Sequence, residues 1–513
     1  MTIAAGVLAV ALVSGGNGAD PRTPAGLPGM APPFLGTAVV GGGGLSAAID
    51  SYGDVVDLRT APAGRALIEN PAARQAAGTV PAATGIVPRV RIDGRDLPLW
   101  RADSVRQSYR PGTEVAIVAA RFGPAWVRIA YAAGGGRLGC LTRSTGPRVS
   151  FAIADPAAGA RLRCDDAAAR SIVHGAAAGD RRWLSSARPL GPGAPAWAGA
   201  LYERSLLTLR ALTGRRSGAV AAGARDGWAY VWPRDAGAAA LAFAAAGYRG
   251  EARRVAHFLL GLDLDAAARF HADGAPVAGR GAQGDALGWA VAAAGAAGLP
   301  APTRPSADAP APWRDRPDYQ EGTPGPYLAN ALAATAPEVD GPQVRLYGGK
   351  SARQPGGQGI WNEFEAQGRL VRRAGDAGSG LDSAAAWAVR PFPHPGLFAA
   401  ARRTMLALAA QRTRFGIAPG EGWPGTDPWS APTAWTAWSL AALSARERRT
   451  GAVQAARRDR RVALALLGAL RRAATPAGAL PERVDAATGI PASTTPLAWS
   501  HAFAVLALRR LWP

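Results

Sequence analysis

The chain has 513 residues, 48% of them hydrophobic, and a formal net charge of +21. That apolar share supplies a buried core and excludes a wholly disordered chain despite 65 Gly and 42 Pro, and the length calls for two domains or one large one. The charge invites a nucleic-acid reading, yet Lys350 is the single lysine, the arginines are scattered in ones and twos (Arg253-Arg254, Arg460-Arg461), and no nucleic-acid-binding motif accompanies them, so no nucleic-acid partner is expected.

The N-terminal stretch MTIAAGVLAVALVSGGNGADP holds an apolar run, Ile3 to Val13, followed by small residues. Its length suits a signal peptide, although a basic n-region is missing, and it is too short to span a bilayer. Residues 1–33 are therefore expected to be a signal-like N-terminus, with the mature protein extracytoplasmic or secreted. Later apolar stretches are broken by Arg, Gly and Pro, so no membrane-spanning segment is expected.

From Phe34 to about Leu184 the sequence reads as strands. TAVVGGGGLSAAIDSYGDVVDLR alternates in short runs, and RVRIDGRDLPLW places two strands around Asp93-Gly94, a hairpin signal. Many short strands at close spacing predict a β-sandwich over 34–190. Two cysteines, Cys140 and Cys164, exclude a metal cluster or a CxxC redox site; they form either one disulfide or two buried thiols. ARPLGPGAPAW, residues 187–197, is a connector, after which the apolar period turns helical. GALYERSLLTLRALT and the stretches 235–247, 250–262, 285–297, 326–334, 397–410, 431–448, 452–473 and 497–511 read as helices. Many are Ala-rich and apolar on more than one side, as suits helices flanked by other helices. The expected organisation is thus a β domain followed by an all-α domain over 198–513, with the informative polar and aromatic residues in loops between helices.

Glutamate is scarce, eleven in the whole chain. In the helical half three loop-like segments that carry it stand out: RPDYQEGTPGPYL with Glu321, GIWNEFEAQG with Glu363 and Glu365, and LPERVD with Glu482. DGWAYVWPRDAG, residues 226–237, concentrates Trp228, Tyr230, Trp232, Arg234 and Asp235. An Arg-Asp pair donates to and accepts from vicinal hydroxyls, and indoles make flat apolar walls against sugar C–H faces. The plain alternative is an N-cap aspartate beside core tryptophans.

Four segments, YVWPRD, GAQGDALGWA, RPDYQEG and LPERVDAATGIPASTTPLAWSHAFAVLAL, resemble in order the motifs of glycoside hydrolase family 15, the glucoamylase, glucodextranase and trehalase family. They cover about residues 230–510. The resemblance implies an N-terminal β-sandwich joined to an (α/α)6 barrel. It implies Glu482 as general base and Glu321 as general acid of an inverting hydrolysis, in which one carboxyl protonates the leaving oxygen and the other activates water across the ring. Burial among aromatics such as Trp313 and Tyr319 is expected to raise the pKa of the acid. Trp232, Arg234 and Asp235 match positions that hold the non-reducing terminal sugar. Arg269 and Asp285 match the same subsite less closely, and Trp423, Trp429 and Trp499 fall where further sugar contacts occur. The sequence departs from the family at Gln320, where tryptophan is usual, and Glu363 and Glu365 remain rival acids.

The expectation is an exo-acting α-glucoside hydrolase releasing glucose from non-reducing ends of α-glucans or oligosaccharides. A trehalase or dextran-type glucosidase, or a catalytically silent sugar-binding homologue, are the alternatives; a phosphorylase is disfavoured because phosphorolysis does not need the base. No cofactor or metal is expected, since the histidines show no ligand spacing, and His501 is expected to support the base loop or cap a helix.

Overall fold

The computed structural model describes residues 36–42, 44–69, 85–300, 312–335 and 357–513, so the signal-like stretch 1–33 lies outside the described residues. Strands fill the first part. One sheet runs β1 (Ala38–Gly41), β2 (Ser46–Ile49), β3 (Val55–Arg59), β5 (Ile86–Ile92), β11 (Arg148–Ile153), with β4 (Ala66–Glu69) beside β3 and β6 (Arg95–Pro98) beside β5. A second runs β12 (Leu162–Cys164), β10 (Arg137–Ser144), β9 (Ala125–Gly134), β8 (Ala116–Phe122), β7 (Ser104–Tyr109). The predicted hairpin is β5–β6, and both turn residues, Asp93 and Gly94, take the positive φ that a two-residue turn needs.

Strand periodicity explains how the two sheets pack. Val127, Ile129, Tyr131 and Ala133 on β9 share one apolar core with Val40, Ile49, Leu58, Ile86 and Val90 of the first sheet. Between them, Ala130 and Ala132 point to the opposite face and meet Val173 and Ala177. Those residues belong to a helix, α1 (Ala167–Leu184), so the strand-like reading up to about Leu184 is corrected. The signal was present: Asp166 accepts from the Ala169 N–H at 2.6 Å and caps an Ala-rich run. Cys140 on β10 and Cys164 on β12 are register partners with Cα atoms 4.6 Å apart, and they form a disulfide.

Helices dominate the rest. They are α2 (Ala196–Ala211), α3 (Pro233–Ala245), α4 (Arg249–Leu260), α5 (Ala286–Ala297), α6 (Leu328–Ala334), α7 (Gly357–Phe364), α8 (Phe398–Ala410), α9 (Ser430–Arg449), α10 (Val453–Ala473) and α11 (Ala498–Leu511). Helix α3 packs on α5, α5 on α6, α6 on the 3-10 segment Ser383–Ala388, that segment on α9, α9 on α11, and α11 back on α3. The packing circuit therefore closes on itself. The other helices flank it, α4 against α3 and α5, α10 against α9, α2 against α11. Members of the circuit are buried all round, α9 from Ser430 to Ser444 without a break, as their two-sided apolar sequences require. Glycine permits a close approach between neighbours: a Cβ on Gly237 of α3 would lie 2.9 Å from the Trp289 carbonyl oxygen on α5.

Aromatic rings fill the middle of the circuit edge to face, Trp289 on Trp387 at 5.1 Å, Trp387 on Trp435 at 5.3 Å and Trp435 on Trp499 at 5.4 Å. A small sheet, β13 (Glu365–Ala366), β14 (Arg369–Arg373) and β15 (Asp376–Leu381), interrupts the helices and was not expected from the sequence. Among the described residues no helix is long and apolar enough to cross a membrane.

Candidate active site

Helices α3, α9 and α11 begin at one mouth of the circuit, with Trp232, Trp429 and Leu497 as their N-cap residues. All three residues line a pocket of about 240 Å³ together with Arg234, Asp235, Glu321, Trp423, Glu482 and Trp499. That volume is just under the range of roughly 300–1,000 Å³ typical of ligand sites and suits one small ligand at a time.

The Arg-Asp pair is positioned by the start of α3. Pro233 at the first helical position lacks an N–H that the helix would leave unpaired anyway and fixes the entry. Arg234 and Asp235 follow in the first turn, each 4% exposed. The Arg234 guanidinium donates to Asp285 at 2.7 Å and to Gln283 at 3.0 Å, and lies 4.8 Å from the centroid of the Trp499 ring. Asp235 accepts from the Trp499 N–H at 3.3 Å. Burial pushes its carboxyl up to about 7 in spite of Arg234.

Glu482 stands on the segment Leu480–Pro481–Glu482, which is tied on several sides. Its N–H donates to Thr494 O at 2.9 Å, and its carbonyl accepts from the Ser430 N–H at 2.9 Å. Leu480 N–H donates to His501 Nε2 at 2.9 Å, and the Ser500 hydroxyl to Pro481 O at 3.1 Å. A backbone N–H can only donate, so His501 Nε2 carries no proton and Nδ1–H faces Ser205 Oγ at 3.0 Å. Burial, with Arg204 nearby, holds His501 down to about 3, hence neutral, and the expected support of this loop by His501 is met by that bond. The Thr37 N–H in turn donates to Thr495 O at 3.2 Å, so the β part braces the same loop. The Glu482 carboxylate accepts from the Ser493 hydroxyl and from Trp228 Nε1 at 3.4 Å. Burial raises its pKa, while the Ser493 bond and Arg483 act the other way.

Glu321 ends a tight turn. Its N–H donates to Asp318 O at 3.0 Å, and its backbone is left-handed, φ 55°. A non-glycine residue holds that conformation only when its surroundings enforce it. Its side chain is 39% exposed and ion-paired with Arg280. This corrects the expected burial among aromatics: Trp313 is buried, but Glu321 is the anionic half of an open ion pair.

Two expected sugar contacts are not on the pocket wall. Asp285 is fully buried and accepts from both Arg234 and Trp289 Nε1, the latter at 3.1 Å; it acts on the pocket through Arg234. Arg269 donates to Gly227 O at 3.2 Å and stacks 5.0 Å from the Tyr230 centroid, bracing the loop ahead of Trp228. The rival carboxylates also lie away from the lining. Glu363 pairs with Arg314 at 2.8 Å, and Glu365 accepts from the Gly368 N–H. Sequence reasoning missed Arg280 and Ser493. The one visible signal was Gly279 and Gly281 around Arg280, which mark a loop.

No protein-family model matches the sequence, and no curated protein matches it. Solved structures do. A bacterial glucoamylase complexed with acarbose aligns with 93% of this chain and 94% of its own, at TM-score 0.63 and 12% identity. The chain has the fold of that glucoamylase. The glucoamylase of Saccharomycopsis fibuligera aligns with 61% of this chain at TM-score 0.45 and 12% identity, and a wild-type glycosidase with 62% at 0.46 and 19%. The alignment with the bacterial glucoamylase, over 93% of this chain, spans both the stranded and the helical parts, and the resemblance read in the sequence is met at the level of fold.

Proposed function

We propose that this chain is an inverting, exo-acting α-glucoside hydrolase, with Glu482 as general base and Glu321 as general acid. The observation that carries the reading is that these two glutamates, 161 positions apart by their numbers 321 and 482, line one pocket beside Arg234-Asp235 and five tryptophans. The closed circuit of helices supports an (α/α)6-barrel architecture, and the two sheets around one core support a β-sandwich. Both belong with a glucoamylase-like enzyme of the secreted kind and an oligosaccharide or polysaccharide substrate.

In this mechanism Trp232, Trp423 and Trp499 wall the terminal sugar, and Arg234 and Asp235 grip its hydroxyls. Glu482 takes a proton from the attacking water on the face opposite the leaving oxygen. Glu321, once parted from Arg280 and protonated from solvent, gives that proton to the leaving oxygen as the glycosidic bond breaks. Water, not a protein carboxylate, makes the new bond, so the anomeric centre inverts.

The Arg280–Glu321 ion pair is the one observation that favours a second reading, a silent sugar-binding protein. Assays on maltose, isomaltose, trehalose and soluble starch, with and without phosphate, separate the readings. Hydrolysis predicts phosphate-independent glucose release that falls by about 100-fold or more in both Glu321→Gln and Glu482→Gln. Sugar binding without turnover in the wild type favours the silent protein, and phosphate-dependent release a phosphorylase.

A further inference from the structure

We propose that Arg372, carried on β14 of the small inserted sheet, is the positioning residue of the proton-donor arm. The inference rests on the proposed role of Glu321. Arg372 grips Asp318 with a two-pronged fork, Nε to Oδ2 at 3.0 Å and NH2 to Oδ1 at 2.8 Å. Asp318 is fully buried, so the fork works out of water, where a charge-assisted pair fixes geometry.

Asp318 is the hub of the turn that ends at Glu321. Its Oδ1 also accepts from the Gln320 N–H at 3.1 Å, and its carbonyl accepts from the Glu321 N–H at 3.0 Å and from Gln283 Nε2 at 3.3 Å. Gln283 in turn holds Arg234. The left-handed backbone of Glu321 is thus enforced by bonds converging on Asp318, and Asp318 is enforced by Arg372. A second buried carboxylate, Asp382, lies 4.0 Å from Arg372 and accepts from the Tyr319 hydroxyl at 2.7 Å, so one guanidinium faces both. Without it, two buried carboxylates would adjoin the turn with no cation between them.

The arginine is itself aimed by its sheet. Its guanidinium sits 4.9 Å from the Tyr327 centroid, and Ala374 N–H donates to Pro326 O at 3.0 Å just beyond β14. Nothing on the pocket wall belongs to Arg372, so it acts through Asp318 and not on substrate.

The test is steady-state kinetics of Arg372→Gln, Arg372→Lys, Glu321→Gln and the double variant Arg372→Gln/Glu321→Gln, on whichever substrate the wild type cleaves. The expected result is a kcat about 10- to 100-fold lower in Arg372→Gln with KM within about threefold, since a misplaced donor costs turnover and not ground-state binding. Lysine, which cannot fork, should recover part of the loss. The double variant should be no slower than Glu321→Gln alone, because both changes remove the same step. Wild-type kcat in Arg372→Gln, or losses that multiply in the double variant, would overturn the proposal. A fully active Glu321→Gln would sink the acid assignment itself, and the positional claim is then read from a crystal structure of Arg372→Gln, or of Arg372→Lys if the first does not fold. A displaced 318–321 turn supports it; an unchanged turn with φ near 55° at Glu321 refutes it.

Discussion

The chemistry proposed for Glu482 depends on its charge, and its charge depends on Ser493. Burial raises the pKa of this carboxyl, and the Ser493 hydroxyl opposes that by donating to the ionised form. A general base works only when ionised, so activity must fall as pH drops through its pKa. Removing the hydroxyl removes an interaction that favours the anion, so the pKa rises further. Ser493→Ala should therefore move the acid limb of the kcat/KM profile to higher pH, with the alkaline side unchanged. A limb that moves to lower pH, or stays fixed, contradicts this account of Glu482. Glu482 was legible in the sequence because it follows a proline and precedes Trp-Ser-His in a glutamate-poor chain. Ser493 was not, because a lone serine among ASTTP gives no sign of what it touches until the loop folds back on itself. Arg280 was hidden for the same reason: it reaches Glu321 from 41 positions away by their numbers 280 and 321.

Among the elements, β10 and β12 show how a covalent link settles an ambiguity that spacing left open. Cys140 and Cys164 are register partners, and β12 joins the sheet as a parallel strand of three residues. So short a strand has little ladder to hold it, and the disulfide fastens it. Replacing both cysteines by serine should lower the unfolding free energy by about 3 kcal/mol, read from denaturant unfolding under non-reducing conditions. An unchanged stability would mean that the link constrains nothing the fold does not already fix. Helix boundaries were largely legible, because α9, α10 and α11 repeat apolar residues over long spans. Helix α1 was overlooked since it follows a strand-rich stretch, and its apolar residues cover a sheet face whose second-side burial only the β9 alternation reveals. The β13–β15 sheet was hidden by short strands rich in Arg, Gly and Asp, which carry little apolar alternation.

Across the whole molecule, buried titratable groups set how stability responds to pH. Burial lifts Asp235 and Asp382 to about 7 and Glu114 to about 8, from ordinary values of 3.8 and 4.5. The folded state then holds protons that the unfolded chain releases, so the stability these groups contribute is complete at low pH and is lost as pH rises through 7 to 8. His501, held near 3 against an ordinary 6.5, acts oppositely, with its contribution lost as pH falls from 6.5. Above pH 6.5 only the losses remain. The melting temperature should accordingly decline from about pH 6.5 to 8, and a rise across that interval would contradict the assignment of these groups as buried proton carriers.

The global arrangement was legible as a stranded part followed by a helical part, since apolar period changes at the Pro/Gly-rich connector. Closure of the helices into one circuit was not legible from period alone; it entered through family resemblance, and the glucoamylase fold of the chain accords with it. That closure is what brings Glu321 and Glu482 to one pocket. The most direct test of the pair as acid and base is the stereochemistry of the first turnover, followed by proton NMR of the glucose released from an α-linked substrate before mutarotation. Water activated by Glu482 on the face opposite the leaving oxygen predicts β-glucose as the first product. Release of α-glucose would mean that a protein carboxylate attacks the sugar, and the acid–base account of this pocket would be wrong.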